Sequence, residues 1–269
     1  MEERYSGSTK SQTIDTQNTT EGRYIYGIMI AKDRREFGPI GIGGRGDVVY
    51  TLPYRDIAAI ISSSPITKYP VSRENMMTHA VVLDKAVEES TILPVRFCTI
   101  ATDEQSIIGR VLKPRYQEFI DLLKQMEGKV ELGVRAHWID AKVIFTEIVE
   151  ENKEIKTLKE SALHEKNEQK HYAKTVKAGE LVQKALEEKK KRGAEELLAA
   201  LRPFSLAVKE NQIYGDTNLL NAAFLVSQEK EQAFDQKIRE LDEKYKERIH
   251  LKYTVSRVPY NFVEVVIHL

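Results

Sequence analysis

The sequence predicts an α+β protein in two parts, and three observations carry that prediction. KVELGVRAHWI, residues 129–139, alternates apolar and polar side chains with the period of a half-buried strand. Upstream of it, strand-like and helix-like runs follow one another. Downstream of Trp138 the composition shifts to Glu- and Lys-rich helix before strands return. With 41% hydrophobic and 30% charged residues over 269 positions, the chain can build a substantial core and still solvate long helices.

Charge and cysteine content narrow the function classes. Forty-one basic residues balance 41 acidic ones, so no global field favours nucleic acid or an anionic membrane. The one cysteine, Cys98, excludes an intrachain disulfide and a multi-cysteine metal site, and fits a reducing cytosol. No apolar run is long enough for a spanning helix, and no signal-peptide core is present. Residues 1–22 are polar and aperiodic, which predicts a disordered tail, with a first domain over 23–140 and a helical connector plus second α+β domain over 141–269.

In order along the chain, RYIYGIMIA predicts a central strand covered on both faces, with Tyr24, Tyr26, Ile28 and Ile30 opposed to Ile25, Gly27 and Met29. A glycine-rich loop over 38–46 follows. DVVYTL and DIAAIISS then form a hairpin or bent pair about Pro53 and Tyr54. Ser72 caps a helix whose buried stripe is Met76, Ala80, Leu83 and Val87. In TILPVRFCTI the period of two places Leu93, Val95 and Phe97 on the helix-packed face, leaving Pro94 and Arg96 on the other, and Pro94 argues for an edge or bulge. Thr102 and Gln105 form a capping box for a helix that Pro114 bends or divides and Gly128 ends. In the strand at 129–139, Val130, Leu132, Val134, Ala136 and Trp138 point inward, away from Glu131, Arg135 and His137. This strand is expected in the first sheet. The second part holds long charged helices over 149–192, then four strands, PFSLAV, NLLNAAFLVS, IHLKYTVS and NFVEVVIHL, with one helix before the third.

No motif identifies an enzyme. GIGGRG has the spacing of a dinucleotide fingerprint, but a strand rather than a helix follows it, so it is a turn-forming loop. The histidines lack metal-ligand spacing, Ser62, Ser63 and Ser64 lack a nucleophile elbow, and nothing near Cys98 activates it. Tyr24 and Tyr26 are better placed in a core than on a base-stacking sheet.

Five blocks in order resemble the gas vesicle protein F/L family: YIYGIM, ENMMTHAVVLDKAVEESTILPVRFCTI, KVELGVRAHW, LLNAAFLVSQEKEQAFDQKI and VPYNFVEV, together spanning about residues 22–269. The resemblance implies a modified ferredoxin-like N-terminal domain with helices on one face of its sheet. It also implies a cytoplasmic, non-catalytic accessory protein, associated with the gas vesicle, that needs no cofactor. Its implied partners are the hydrophobic major shell protein and other gas vesicle accessory proteins, with no nucleic acid and no lipid membrane. One departure stands out: Ser256, Arg257 and Val258 precede Pro259 and Tyr260 where the family often carries Gly-Pro-Trp. Glu74, Asn75, His79, Pro94, Arg96, Arg135, Pro259 and Tyr260 are the candidate residues for partner binding or for specifying the fold. For Arg96 the expectation is a buried ion pair, with Glu74 ahead of Glu131. Two other functions stay open: a nucleic-acid-binding ferredoxin-like protein using Tyr24 and Tyr26, and an enzyme with a site on a polar face around Arg96, Arg135 and His137.

Overall fold

The computed structural model describes residues 20–269, so the expected tail lies almost wholly outside the described residues. Among the described residues ten strands form two antiparallel sheets and seven α-helices pack with them in two compact units, which makes the α+β class plain. One unit runs to Lys124 and also contains Val265–Leu269; the other is Gln125–Glu264.

In the first unit, β1 (Glu21–Ile30) lies between β4 (Ile57–Pro65) and β5 (Ile92–Pro94), in the order β2-β3-β4-β1-β5. Here β2 is Glu36–Gly38 and β3 is Val49–Tyr54, while β6 (Ile100–Ala101) also pairs with β1. The central position of β1 follows from its nearly continuous apolar run. A bulge between Ile25 and Gly27 breaks the simple alternation, so Tyr24, Tyr26 and Gly27 all face helix α1 (Arg73–Ala86). Glycine is required at 27, because a Cβ there would meet Leu83 Cδ2 and Ile92 Cγ2 at 2.9 Å. The hairpin of β3 and β4 turns at Arg55 and Asp56, not at Pro53 and Tyr54, which belong to β3.

Helix α1 starts where expected, with the Ser72 side chain accepting from Asn75 N at 3.2 Å. Its buried face is His79, Val82, Leu83 and Ala86, and Met76 is exposed. The helix carries apolar residues around most of its circumference, so spacing alone allowed more than one face. Helix α2 (Glu104–Ile107) is capped by Asp103 with Ser106, one residue beyond the expected box. The chain continues through a π-helical turn, Ile108–Leu112, and Pro114 separates it from α3 (Tyr116–Met126).

The second unit holds the strand expected in the first sheet. Strand β7 (Lys129–Trp138) pairs with β9 (Asn218–Ser227) and β10 (Ile249–Ser256), with β8 (Ala207–Glu210) on the outer edge of β9. Its face assignment is as predicted: Val130, Leu132, Val134, Ala136 and Trp138 are all buried. They pack with Phe224, Phe234, Ile238 and Leu241 beneath α7 (Gln228–Tyr245) and with Leu197, Leu198 and Leu201 of the 34-residue α6 (Glu168–Leu201). Helices α4 (Ala141–Glu151) and α5 (Lys153–Leu163) complete the charged helical layer. Arg248 grips Glu147 of α4 with two bonds of 2.6 Å, and this together with Lys189 lowers the Glu147 carboxyl to about 2.

The final apolar segment is not a strand. Only Val95 and Val265 form an isolated parallel bridge, and Val265–Leu269 belong to the first unit rather than the second.

Candidate functional site

The site is assembled from polar groups inside an aromatic core. The Tyr24 hydroxyl accepts from Cys98 N at 2.9 Å and is hydrogen-bonded to His79 Nδ1 at 3.0 Å, in the direction that the imidazole tautomer sets. Tyr26 does the equivalent for the glycine loop: its hydroxyl accepts from Ile42 N at 2.8 Å and lies 2.9 Å from Ser62 Oγ. Both tyrosines are wholly buried. Burial pushes the Tyr24 phenol far above its ordinary value and the Tyr26 phenol up to about 12. The same burial lowers His79 to about 4, keeping its imidazole neutral.

This network anchors two walls of a surface groove of about 650 Å³. One wall is the outer face of α1, where Glu74, Met77, Thr78 and Val81 follow one another at helical spacing. The other is the loop Ile40–Gly44, held by Gly41 N donating to Asp47 O at 3.0 Å and by Ile42 buried beneath it. Gly43 has a φ of +85° and its backbone lies against the Tyr69 ring, where a Cβ would come within 3.2 Å. Met77 is 54% exposed and Val81 49%. The groove therefore presents flexible thioether and branched apolar surface against bare glycine backbone.

Glu74 and Asn75 both line this groove, and Asn75 also donates to Pro70 O at 3.0 Å. His79 lies beneath it, in the core. Pro94 is buried in β5, and its missing N–H lies on the side away from β1, where Val265 N donates to Pro94 O at 3.0 Å.

Arg96 corrects the expectation of a buried pair. Val95 N still donates to Tyr26 O, but the chain then leaves the sheet through a corner in which Cys98 has a φ of +64°. The alternation stops there. Arg96 is exposed, Phe97 is half-buried, and the Glu131 carboxylate is bonded by Asn261 N at 2.7 Å and Asn261 Nδ2 at 2.6 Å.

Arg135 is exposed on the outer face of the second sheet, Pro259 is buried and Tyr260 is 39% exposed. Arg96 thus lies outside the strands of the first unit while Arg135 and His137 lie on β7 of the second, so the three do not share one sheet face. The buried rings of Tyr24 and Tyr26 have no face free for a base. Among the described residues, no three or more His, Cys, Asp or Glu side chains gather as metal ligands, and no helix is long and apolar enough to cross a membrane. Met77, Val81 and the loop glycines escaped sequence reasoning. The available signal was that α1 has more apolar residues than one buried face can hold.

The family described as gas vesicle synthesis protein GvpL/GvpF matches residues 22–264. A gas vesicle protein F of Nostoc sp. is 23% identical over 248 residues, covering 91% of this chain and 99% of that relative. One from Streptomyces sp. is 28% identical over 246 residues, covering 90% and 99%. The crystal structure of the gas vesicle protein GvpF from Anabaena sp. superposes with a TM-score of 0.76 at 23% identity, over 91% of this chain and 99% of that one, a likeness of fold.

Proposed function

The chain belongs to the gas vesicle synthesis GvpL/GvpF family, and from that membership we propose that it is a non-catalytic assembly factor that binds the hydrophobic major shell subunit through the groove beside α1. It acts in the cytoplasm, on or beside the growing vesicle, and other accessory proteins of the vesicle are its further partners. A shell subunit exposes apolar surface before it joins the wall, and covering that surface delays aggregation. The observation that carries this reading is the exposed Met77 and Val81 opposite a glycine wall. Strand capture is less well supported, because β5 already meets Val265 and β2 at the other edge has only three residues.

Co-expression with the shell subunit followed by pull-down and light scattering tests the proposal. Met77→Glu with Val81→Glu is expected to weaken capture by at least about tenfold, since each apolar side chain contributes about 1.5–3 kcal/mol when buried. Because both side chains are exposed, the melting temperature should barely move. Undiminished capture by that variant would remove the groove from the mechanism, and no capture by the parent protein would remove shell binding altogether.

A further inference from the structure

The second sheet has an outer face that the groove does not explain. Across β7 and β10 the register sets Arg135 directly opposite Lys252 and His137 directly opposite His250, with the two histidine rings 5.0 Å apart. Both pairs point away from the core that Val134 and Ala136 enter. Like charges directly opposed on a sheet are destabilising. Among the described residues no carboxylate forms an ion pair with Arg135 or Lys252. The one acid on this face of β7 is Glu131, four residues along, and its oxygens are taken by Asn261. A chain of zero net charge thus concentrates two facing cations, with two facing histidines next to them, on one short stretch of sheet.

The surroundings are concave. A cleft of about 380 Å³ is lined by Arg135 and Lys252 together with Asn221, Asn211 and Thr254. Asn221 is opposite Arg135 on β9, and the Asn211 amide is tied to Asn261 Oδ1 at 3.1 Å. The guanidinium and ammonium therefore share one recess, while the groups beside them are already engaged: Asn221 donates to Gln212 O at 3.3 Å, Thr254 to Gly133 O at 3.4 Å, and the Glu131 carboxylate that also lines the cleft accepts from Asn261.

We propose that this face binds an acidic, carboxylate-bearing segment of a partner protein, with Arg135 and Lys252 as the charge-recognising pair. Successive same-face positions on a strand are about 6.8 Å apart, a spacing that side chains of one extended acidic segment can follow. An isolated small anion would use only the first pair.

Fluorescence anisotropy of labelled octaglutamate with the full chain tests this. Binding is expected at about 20 mM salt and should weaken sharply at about 300 mM. Arg135→Glu with Lys252→Glu should reduce affinity by at least about tenfold, and Arg135→Gln with Lys252→Gln by less. Both positions are exposed, and circular dichroism checks that the variants fold. The control is a charge reversal elsewhere, Lys153→Glu with Lys166→Glu, which should leave binding unchanged. The proposal fails if octaglutamate does not bind at low salt, or if the control loses as much affinity as the Arg135 and Lys252 variant. It also fails if inorganic phosphate displaces the peptide at equal concentration, or if octathymidylate binds more tightly than octaglutamate.

Discussion

In the first sheet β1 and β4 bury side chains of both parities, whereas in the second β7 buries one parity and leaves Arg135 exposed on the other. The contrast decides where each unit can bind anything. A sheet covered on both faces has no free face of its own, so the first unit exposes its apolar surface on α1 and a loop, held in place by buried tyrosine hydroxyls. The outer face of the second sheet is buried toward Glu131, Ala223 and Leu225 and open at Arg135 and Lys252. The second unit accordingly presents charge on the strands themselves at Arg135 and Lys252, beside the turn whose Asn261 bonds Glu131.

The largest expected effect tests whether the two units are separately stabilised. Tyr26→Ala removes a wholly buried ring together with the bonds to Ser62 and Ile42, and should cost about 3–5 kcal/mol. Hydrogen exchange should then accelerate in β1 and β4 while β7 and β9 keep their protection. Equal acceleration in both sheets would mean a single cooperative unit and would break the comparison.

A smaller effect is a pH dependence of the first unit carried by His79. His79 titrates near 4 in the fold against an ordinary value of 6.5, so as the pH falls the unfolded chain takes up the proton first. Its contribution is complete above about pH 6.5 and is lost down to about pH 4, a total of roughly 3 kcal/mol. Urea melts across that window should show the loss, and His79→Gln should flatten this part of the profile. An unchanged slope in the variant would place the acid sensitivity elsewhere.

The smallest effect concerns Arg96. As an exposed side chain on a corner, its replacement by alanine should cost at most about 1 kcal/mol in a thermal melt. A loss several times larger would restore the buried ion pair that the alternation suggested.

Much of the fold was legible because it depends on neighbours in sequence. The inward face of β7, the Ser72 cap, the break at Pro114 and the loop nature of GIGGRG each follow from a few consecutive residues. The candidate site was legible only in part. Glu74 and Asn75 do line the groove, but Met77 and Val81 lie outside the stripe of Met76, Ala80, Leu83 and Val87 that spacing picks out on α1.

By itself the sequence determined the α+β class, the type of most elements though not of the final apolar segment, the apolar face of the regular strand β7, and, through ordered blocks, the family. Tertiary structure alone decided that β7 joins the second sheet, that α1 turns His79 inward, that Arg96 leaves the sheet, and that Val265 returns to the first unit. The physical reason is that periodicity is a property of one segment, whereas pairing is a choice among several apolar faces far apart in the chain. Polar partners then settle the cases that hydrophobicity leaves equal: the Tyr24 hydroxyl makes His79 an acceptable core residue, and the bulge before Gly27 overrides the alternation around it.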